Sequence, residues 1–310
     1  MNALALPRLG LGCALLGRID AVPDDAAAVA TMVAAARAGI AYFDTAPLYG
    51  ATLSEQRLGA ALRAMPSRPR VSTKVGYVVS GPPGRRIPEA ERVRDYSAAF
   101  AERSIAASLD RLGLERIDIA FVHDPEGRVD EAAAGTVPAL LRLREAGKIG
   151  AIGAGVNTPA TAAALLAIAP LDAVLVAGRY TLLDHSAAPF FAECAARGVA
   201  VIAAGVFGSG ILATGAERPG TYAYAQPTAA VIARVRAIEA VCRAHDVPLR
   251  AAALRFVAAN PHVTCVLLGA GSQAELADSQ AMLAHPIPAR LWAALRSAGL
   301  LAPDLPTPDA

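Results

Sequence analysis

The chain has 310 residues, and its 29 basic and 27 acidic side chains leave a formal net charge of +2. So small a net charge gives no strong field for binding nucleic acid or an anionic membrane. Hydrophobic residues make up 55% of the chain, which excludes an intrinsically disordered protein because disordered chains are poor in apolar residues. No apolar run in the sequence is long enough to span a bilayer.

The cysteines are scattered, form no CxxC pair and share no cluster with histidine, so neither a disulfide framework nor a metal site is expected. They are Cys13, Cys194, Cys242 and Cys265. The N-terminal segment lacks a basic start followed by an apolar signal core, and we therefore expect no export and a cytoplasmic location. Lysine is rare beside arginine, since only Lys74 and Lys148 occur. Because lysine is so rare in this chain, each of the two lysines is a candidate for a functional role.

Short apolar or β-branched runs alternate along the chain with alanine-rich stretches that have helical spacing. The predicted strands are Leu9–Cys13, Ala41–Thr45, Val71–Val75, Ile117–His123, Ala151–Val156, Ala173–Ala177, Val199–Ala204 and Thr264–Leu268. The predicted helices are Asp25–Ala38, Ser54–Arg63, Tyr96–Leu112, Glu131–Ala146, Pro159–Ile168, Ala187–Ala196, Thr228–His245, Pro248–Ala258, Gln273–Ala284 and Pro288–Ala298.

Eight strand–helix units favour an α/β fold of the (β/α)8 TIM-barrel type, because parallel strands need helical crossovers. We expect one domain over residues 1–310, with a loose tail at residues 301–310 that contains three prolines. A doubly wound open sheet is the alternative. No G-x-G-x-x-G motif opens a helix after the first strand, and this weakens the dinucleotide-binding version of that alternative.

Functional groups of such a barrel collect at the C-terminal ends of its strands. Asp44, Lys74 and His123 end three consecutive predicted strands, and Tyr49 follows Asp44 by five residues in a turn flanked by proline and glycine. A free phenol has a pKa near 10, and a neighbouring ammonium lowers it by stabilising the phenolate. Each residue alone has an ordinary structural explanation. Together they predict that Tyr49 transfers a proton, tuned by Lys74 and Asp44, while His123 directs a substrate oxygen.

These motifs resemble those of the aldo-keto reductase superfamily. The segments that carry the likeness are DTAPLYG at residues 44–50, STKVG at 72–76 and the strand ending in His123, and it extends from LGLG at 9–12 to LGAGS at 268–272. The resemblance implies a catalytic tetrad of Asp44, Tyr49, Lys74 and His123, with tyrosine as the acid/base and a nicotinamide cofactor. It therefore implies an NAD(P)-dependent dehydrogenase acting on CH–OH groups.

A narrower resemblance is to a subgroup that contains D-threo-aldose 1-dehydrogenase (L-fucose dehydrogenase), L-galactose dehydrogenase and pyridoxal 4-dehydrogenase. It rests on residues 72–76, 95–97, 108–114, 123–125 and 177–184. The subgroup implies oxidation of the anomeric C1 hydroxyl of an aldose such as L-fucose, L-galactose or D-arabinose to the lactone. Oxidation of pyridoxal, general aldehyde or ketone reduction and, in another class, a cofactor-binding regulatory subunit remain alternatives. The expected partner is a small molecule, with neither nucleic acid nor membrane.

Glycine-rich segments after the seventh and eighth strands favour pyrophosphate binding, because exposed backbone amides and a helix start can approach it. With the family resemblance, the predicted cofactor-binding residues are Gly12, Cys13, Asn157, Gly205, Val206, Phe207, Ser209, Gly210, Gly269, Ala270, Gly271, Ser272 and Glu275. Many family members place glutamine at the position of Ala177 and an aromatic residue after the seventh strand, where this chain has Ala204 and Gly205. We expect Asn157 to replace the missing amide contact.

NAD is expected to be preferred over NADP. The segment 269–284 has no arginine or lysine, whereas a 2′-phosphate needs paired positive charge. Glu275 stands where NADP-dependent relatives usually place arginine, and it either binds the ribose or completes a capping box with Ser272. A distant arginine such as Arg218 or Arg243 would overturn this expectation by folding over the site.

Weaker candidates for substrate contact follow the same strand ends. They are Tyr77, Asp124 and Arg179, with Tyr180, Asp184 and His185 as further polar groups able to meet a polyol.

Overall fold

The eight predicted strands form a closed barrel of parallel strands in the computed structural model, which describes residues 4–218, 220–223 and 225–308. The barrel order is β1, β2, β3, β6, β7, β8, β9, β10 and back to β1. The predicted (β/α)8 fold is thus confirmed. The strands are β1 (Leu9–Gly12), β2 (Tyr42–Asp44), β3 (Arg70–Val75), β4 (Tyr77–Val78), β5 (Val93–Arg94), β6 (Ile117–His123), β7 (Ile149–Val156), β8 (Ala173–Ala177), β9 (Ala200–Ala204) and β10 (Cys265–Gly269).

Helices cover the outside of the barrel and, apart from the short unpredicted helix Ile211–Thr214, begin at or near the predicted positions. They are α1 (Asp25–Arg37), α2 (Leu53–Leu62), α3 (Ala98–Leu112), α4 (Val129–Glu131), α5 (Val137–Glu145), α6 (Pro159–Ile168), α7 (Ala188–Ala196), α8 (Ile211–Thr214), α9 (Ala229–Ala244), α10 (Leu249–Ala259), α11 (Gln273–Ala284) and α12 (Ala289–Ser297). Between α4 and α5 the chain makes a π-helical segment, Ala132–Thr136. The single helix predicted over 131–146 is therefore interrupted.

Alternation along the strands decides which side chains enter the barrel, because successive residues of a strand point to opposite faces. Tyr42 and Phe121 are fully buried inside it, whereas Phe43 and Val122 pack between strands and helices. Two residues further along the same inward faces come Asp44 and His123, which therefore point toward the barrel axis at its C-terminal end.

A two-stranded hairpin outside the barrel was not predicted. Strands β4 and β5 pair in antiparallel register, with Tyr77 opposite Arg94 and Val78 opposite Val93. The hairpin leaves the C-terminal end of β3, so it lies at the edge of the barrel where Lys74 ends its strand.

The C-terminal tail is a correction to the sequence prediction. Leu301 and Leu305 are buried in the main apolar core, and Arg296 donates to the carbonyl of Leu305 and to the hydroxyl of Thr307, both at 2.9 Å. Apolar contacts and these hydrogen bonds hold residues 301–308 on the fold. The prediction for 309 and 310 lies outside the described residues.

Candidate active site

Lys74 and Asp44 form a buried ion pair at the C-terminal end of the barrel. The Lys74 ammonium donates to Asp44 Oδ2 at 2.5 Å and to the carbonyl oxygen of Thr45 at 2.9 Å. The two side chains are 1% and 2% exposed. Ser72, two residues before Lys74 and on the same inward face of β3, donates its hydroxyl to Asp44 Oδ1 at 2.7 Å. Hydrogen bonds on both carboxylate oxygens offset part of the desolvation cost of burying the pair.

Tyr49 lies beside the ammonium of this pair. The Lys74 nitrogen is 4.7 Å from the centroid of the Tyr49 ring, and the His123 ring lies 6.0 Å from that ring at an angle of 88°. The structure therefore brings together all four residues of the predicted tetrad.

A strained turn fixes the position of Tyr49. Gly50, Ala51 and Thr52 all have positive φ, at 59°, 45° and 79°, which is costly for residues other than glycine. A Cβ atom at Gly50 would lie 1.6 Å from the carbonyl oxygen of Gly17. The turn is thus pressed against the loop that follows β1, and glycine is required at its closest point.

His123 is buried and is held neutral by its surroundings. Burial and the positive charges of Lys74, Arg92 and Arg94 keep the pKa of His123 well below its usual value. A neutral imidazole has one N–H donor and one acceptor nitrogen. His123 can therefore donate one hydrogen bond to a substrate oxygen without taking up a proton itself.

Three of the weaker substrate candidates form a network on one side of His123. The Tyr77 ring meets the His123 ring edge-on, with centroids 5.1 Å apart, and its hydroxyl donates to Asp124 Oδ2 at 3.1 Å. Asn157 donates its side-chain amide to Asp124 Oδ1 at 3.0 Å. Arg179 donates to the carbonyl oxygen of Asn157 at 2.8 Å. The Asn157 amide group is thus directed to Asp124, and its predicted role toward nicotinamide stays a prediction.

Tyr180 is a correction. Its side chain is 1% exposed and stacks on Phe256 at a centroid distance of 5.0 Å, with Phe191 on another side. His185 meets Phe256 as well. Tyr180 therefore belongs to the apolar core and has no surface to offer a polyol.

Tyr96 supports the site and was missed as a functional candidate. Its buried hydroxyl lies 2.8 Å from the carbonyl oxygen of His123 and 2.7 Å from that of Asp124. The segment Asp95–Ser97 was noted only as part of the family resemblance, and the backbone contact of a side chain leaves no periodic signal in a sequence. The contact of Ser72 with the Asp44 side chain on the neighbouring strand likewise leaves no local pattern in the sequence.

The loop after β9 presents an open backbone. Gly205, Gly208, Ser209 and Gly210 have positive φ, between 57° and 113°, and a Cβ atom at Gly210 would meet nothing within 4 Å. Ala177 and Ala204, opposite each other in the β8–β9 register, leave only methyl groups at these strand ends. Of the neighbouring predicted contacts, Val206 is buried and Phe207 half-buried.

The loop after β10 is capped from within the chain. Glu275 Oε2 accepts the backbone N–H of Gly271 at 2.9 Å, and the hydroxyl of Ser272 accepts the backbone N–H of Glu275 at 3.2 Å. Glu275 therefore bonds backbone, as the capping alternative expects, but its carboxylate accepts from Gly271 and not from the N–H of Ser272 that a full capping box would use. Arg250 of α10, which the sequence does not single out, forms an ion pair with Asp278 of α11.

Several predicted cofactor residues have no exposed side chain. Cys13 and Ala270 are fully buried, and burial raises the pKa of the Cys13 thiol. Only the backbone of these two residues is available to a ligand, which corrects any expectation of a side-chain contact. Gly12 pairs with both Asp44 and Gly269 in the barrel, so it lies between the tetrad and the β10 loop.

A closed parallel barrel with a lysine, a carboxylate, a tyrosine and a neutral histidine at its C-terminal end defines a class of proton-transferring barrel enzymes. Residues 8–299 match the model of the aldo/keto reductase family, and the chain belongs to this family. It is accordingly an NAD(P)-dependent oxidoreductase.

Three characterised relatives have dehydrogenase names. The chain is 40% identical to D-threo-aldose 1-dehydrogenase of Pseudomonas sp, covering 98% of this chain and 96% of the relative. It is 37% identical to pyridoxal 4-dehydrogenase of Microbacterium luteolum, covering 97% and 96%. It is 31% identical to L-galactose dehydrogenase of Arabidopsis thaliana, covering 90% and 85%. The predicted resemblance to this subgroup is confirmed.

The fold is also that of a solved relative. An aldo-keto reductase from Bacillus halodurans superposes with a TM-score of 0.77 at 26% identity, covering 96% of this chain and 93% of that one. A nicotinamide cofactor fits the residues described above, because the β8 and β9 ends are lined by methyl groups and the adjoining loop has open space beside Gly210.

Within residues 4–218, 220–223 and 225–308, no group of three or more His, Cys, Asp or Glu side chains is placed to hold a metal ion. No helix in the same ranges is long and apolar enough to cross a membrane.

Proposed function

We propose that this protein oxidises the anomeric C1 hydroxyl of an aldose, such as L-fucose, L-galactose or D-arabinose, to the lactone and prefers NAD to NADP. The observation that carries the proposal is the position of the Lys74 ammonium, 2.5 Å from the Asp44 carboxylate and 4.7 Å from the centre of the Tyr49 ring. Relatives that are 40% and 31% identical and are named as sugar dehydrogenases support the substrate class.

The reaction removes a hydride from the anomeric carbon and a proton from its hydroxyl. A bound nicotinamide ring supplies the hydride acceptor. Tyr49 accepts the proton as a phenolate, which the nearby Lys74 ammonium stabilises. Asp44 holds that ammonium in place. Neutral His123 donates its N–H to the reacting oxygen and so directs the hydroxyl proton toward Tyr49.

Cofactor binding by this chain falls to the two loops after β9 and β10. The backbone of residues 205–210 and the start of α11 would face the pyrophosphate, since helix starts and left-handed backbone turns favour anions. The Gly208 and Gly210 N–H groups already donate to carbonyl oxygens within the loop. Asn157 is proposed to approach the nicotinamide amide. The absence of arginine and lysine from residues 269–284 disfavours a 2′-phosphate.

A second candidate substrate is pyridoxal, favoured by the relative at 37% identity over 97% of the chain. The internal hemiacetal of pyridoxal presents the same reacting group on an aromatic ring. The tetrad would act on an aldose and on pyridoxal in the same way. The residues around the tetrad must therefore determine which of the two compounds is the better substrate.

A steady-state assay tests these proposals. Purified protein is given NAD or NADP with a panel of L-fucose, L-galactose, D-arabinose and pyridoxal, and NADH or NADPH formation is recorded. We expect the highest kcat/KM with an aldose and NAD. A higher kcat/KM with pyridoxal than with any aldose would favour the second candidate substrate. Faster reduction of aldehydes with NADPH than oxidation of any of these compounds would indicate a general reductase. Cofactor binding without turnover on any substrate would indicate a regulatory subunit.

A further inference from the structure

We propose that Asp124 selects substrates that carry a second hydroxyl on the carbon next to the reacting carbon, by accepting a hydrogen bond from that hydroxyl. This inference rests on the proposed function and assigns its substrate specificity to a residue outside the tetrad. It requires that the Asp124 carboxylate be fixed, have free acceptor capacity and lie at the right distance from His123.

The backbone of Asp124 is held in a strained conformation. Its φ is 46°, in the left-handed region that is costly for residues other than glycine, although aspartate tolerates it better than most. Its N–H donates to the carbonyl oxygen of Gly155 on β7 at 2.8 Å, and the Tyr96 hydroxyl lies 2.7 Å from its carbonyl oxygen. Strain that is held by neighbours on both sides is typical of functional positions.

The carboxylate has unused acceptor capacity. Oδ2 accepts one hydrogen bond from Tyr77 and Oδ1 one from Asn157, whereas each oxygen of an ionised carboxylate has about two acceptor sites. The side chain is 16% exposed, so a ligand can reach it. The two internal donors fix its orientation and leave a directed acceptor at the barrel rim.

The distance to His123 matches two neighbouring hydroxyls. Asp124 Oδ2 lies 3.8 Å from His123 Nε2, too far for a hydrogen bond between them. If Nε2 binds the reacting oxygen, the next hydroxyl oxygen of a gauche pair lies about one hydrogen-bond length from that oxygen. It is then within reach of Oδ2. One diol thus spans the gap from imidazole to carboxylate, as the C1 and C2 hydroxyls of an aldose do.

An ionised carboxylate can only accept hydrogen bonds, so the preference for a second hydroxyl should depend on whether Asp124 is ionised and therefore on pH. Burial and the nearby Glu126 raise the pKa of Asp124 to about 6, against the opposing effects of Tyr77, Lys74 and Arg94. Above this pH the carboxylate is ionised and takes the second hydroxyl. Below it, a proton occupies one oxygen and competes with the Tyr77, Asn157 and substrate donors.

The test compares the aldose of highest kcat/KM with its 2-deoxy counterpart, which keeps the anomeric hydroxyl. We expect wild type to favour the aldose at least 10-fold, or about 1.4 kcal/mol, above pH 7, and less at pH 5. Asp124→Asn should lower kcat/KM for the aldose at least 10-fold, mainly through KM, and change it little for the 2-deoxy sugar. Because both sugars react at C1, the ratio between variants cancels their intrinsic difference in reactivity.

Two further variants make the test specific. Tyr77→Phe removes a hydrogen-bond donor that orients the Asp124 carboxylate. It should therefore reduce the kcat/KM ratio of the aldose to its 2-deoxy counterpart. Asp130→Asn removes the same charge from an exposed position on α4 and should leave the preference unchanged. If Asp124→Asn does not fold, the inference is still tested by comparing the aldose with its 2-deoxy counterpart in wild type and in Tyr77→Phe.

Three results overturn the inference, and those that leave the proposed function standing can be told apart from the one that does not. Equal kcat/KM of wild type for both sugars, or equal slowing of both by Asp124→Asn, would overturn it while the proposed aldose oxidation stands. No NADH formation from either sugar by wild type would overturn the proposed function and, with it, the inference.

Discussion

Lys74 serves two neighbours that need its charge, one at the end of β2 and one in the turn that follows it. Asp44 on β2 would be a buried, unpaired carboxylate without it, and Tyr49 would lose the cation next to its ring. On β7, position 155 faces the lysine with a glycine, where a Cβ would lie 3.5 Å from the aliphatic stem. A small residue there gives the long side chain a clear path through the barrel interior.

Tyr49→Phe should lower kcat at least 10²-fold, the usual scale for loss of general acid–base catalysis, because only the hydroxyl is removed. Cofactor binding, measured by quenching of protein fluorescence, should persist. Tyr180→Phe is the matched control, since it removes a hydroxyl from a buried core position and should leave kcat unchanged. Turnover of the Tyr49 variant near that of wild type would remove tyrosine from the acid/base role.

Lys74→Met should move the basic limb of the pH–rate profile to higher pH, because the phenolate loses its neighbouring cation. The substitution also leaves Asp44 buried and unpaired, which costs about 3–5 kcal/mol of unfolding free energy. The double variant Lys74→Met, Asp44→Asn removes both charges. It should recover much of the lost unfolding free energy, but its pH–rate profile should stay different from that of wild type. An unchanged apparent pKa at a normal rate would show that Lys74 is only a structural partner of Asp44.

At the scale of single elements, the barrel strands could be predicted from the sequence because each is a short apolar run between turns or helix-like stretches. The β4–β5 hairpin could not, since each strand has two residues and the pairing of Tyr77 with Arg94 closes over a long loop. The π-helical segment is also a tertiary effect. A Cβ atom at Gly135 would lie 2.3 Å from the Tyr96 carbonyl oxygen, to which Thr136 donates its hydroxyl.

Within the candidate active site, too, some residues could be predicted from the sequence and others depend on contacts between elements. Four tetrad positions could be predicted because the ends of consecutive parallel strands share one edge of a barrel. The supporting contacts of Tyr96 and Ser72 depend on where side chains of other elements point, which no local pattern records. Whether Glu275 caps α11 or faces a ribose likewise depends on a hydrogen bond to Gly271 that only the fold supplies.

Small and large residues alternate across the barrel interior, and this packing is testable in β7. Gly153 lies opposite Phe121 in the β6–β7 register, and a Cβ atom there would approach the Phe121 ring at 2.5 Å. Gly153→Ala should therefore lower the unfolding free energy in urea by about 1–3 kcal/mol, the usual cost of overpacking.

Two companion variants check that interpretation. Gly269→Ala has an ordinary φ and nothing within 4 Å of its new Cβ, so it should unfold like wild type. Phe121→Leu should reduce the cost of Gly153→Ala in a double-mutant cycle. Additive effects of the two substitutions would mean that the ring is not what the new methyl group meets.

The proposed preference for NAD rests on the charges of α11 and its neighbour α10. Wild type should favour NAD over NADP in kcat/KM by at least 10-fold, or about 1.4 kcal/mol. Asp278→Asn frees Arg250 from its ion pair and should improve relative use of NADP about twofold to fivefold, the scale of one surface ion pair. Asp304→Asn, at an exposed position outside α11, is the control. Equal use of both cofactors by wild type would contradict the preference.

For the whole molecule, two site residues make opposite contributions to the pH dependence of stability. His123 has a depressed pKa in the folded state, so its contribution to stability is lost as the pH falls below about 6.5, where the unfolded chain takes up a proton. Asp124 has a raised pKa, so the folded state binds the additional proton. Its contribution falls as the pH rises from about 3.9, the unfolded value.

Asp124→Asn should consequently stabilise the fold more at pH 8 than at pH 4.5. The folded-state pKa of Asp124 is about 6, about two units above the unfolded value, so ionising the carboxyl group costs about 1–3 kcal/mol. At pH 4.5 the carboxyl group is protonated in the folded state but already largely ionised in the unfolded chain, so the gain from the amide should be about 1 kcal/mol or less. Urea unfolding of wild type, Asp124→Asn and the exposed control Asp130→Asn at both pH values measures this difference. The same stability change at pH 8 and pH 4.5 would contradict it. The expected pH-dependent gain would mean that the carboxylate is kept at a cost to the fold, as its proposed contact with substrate requires.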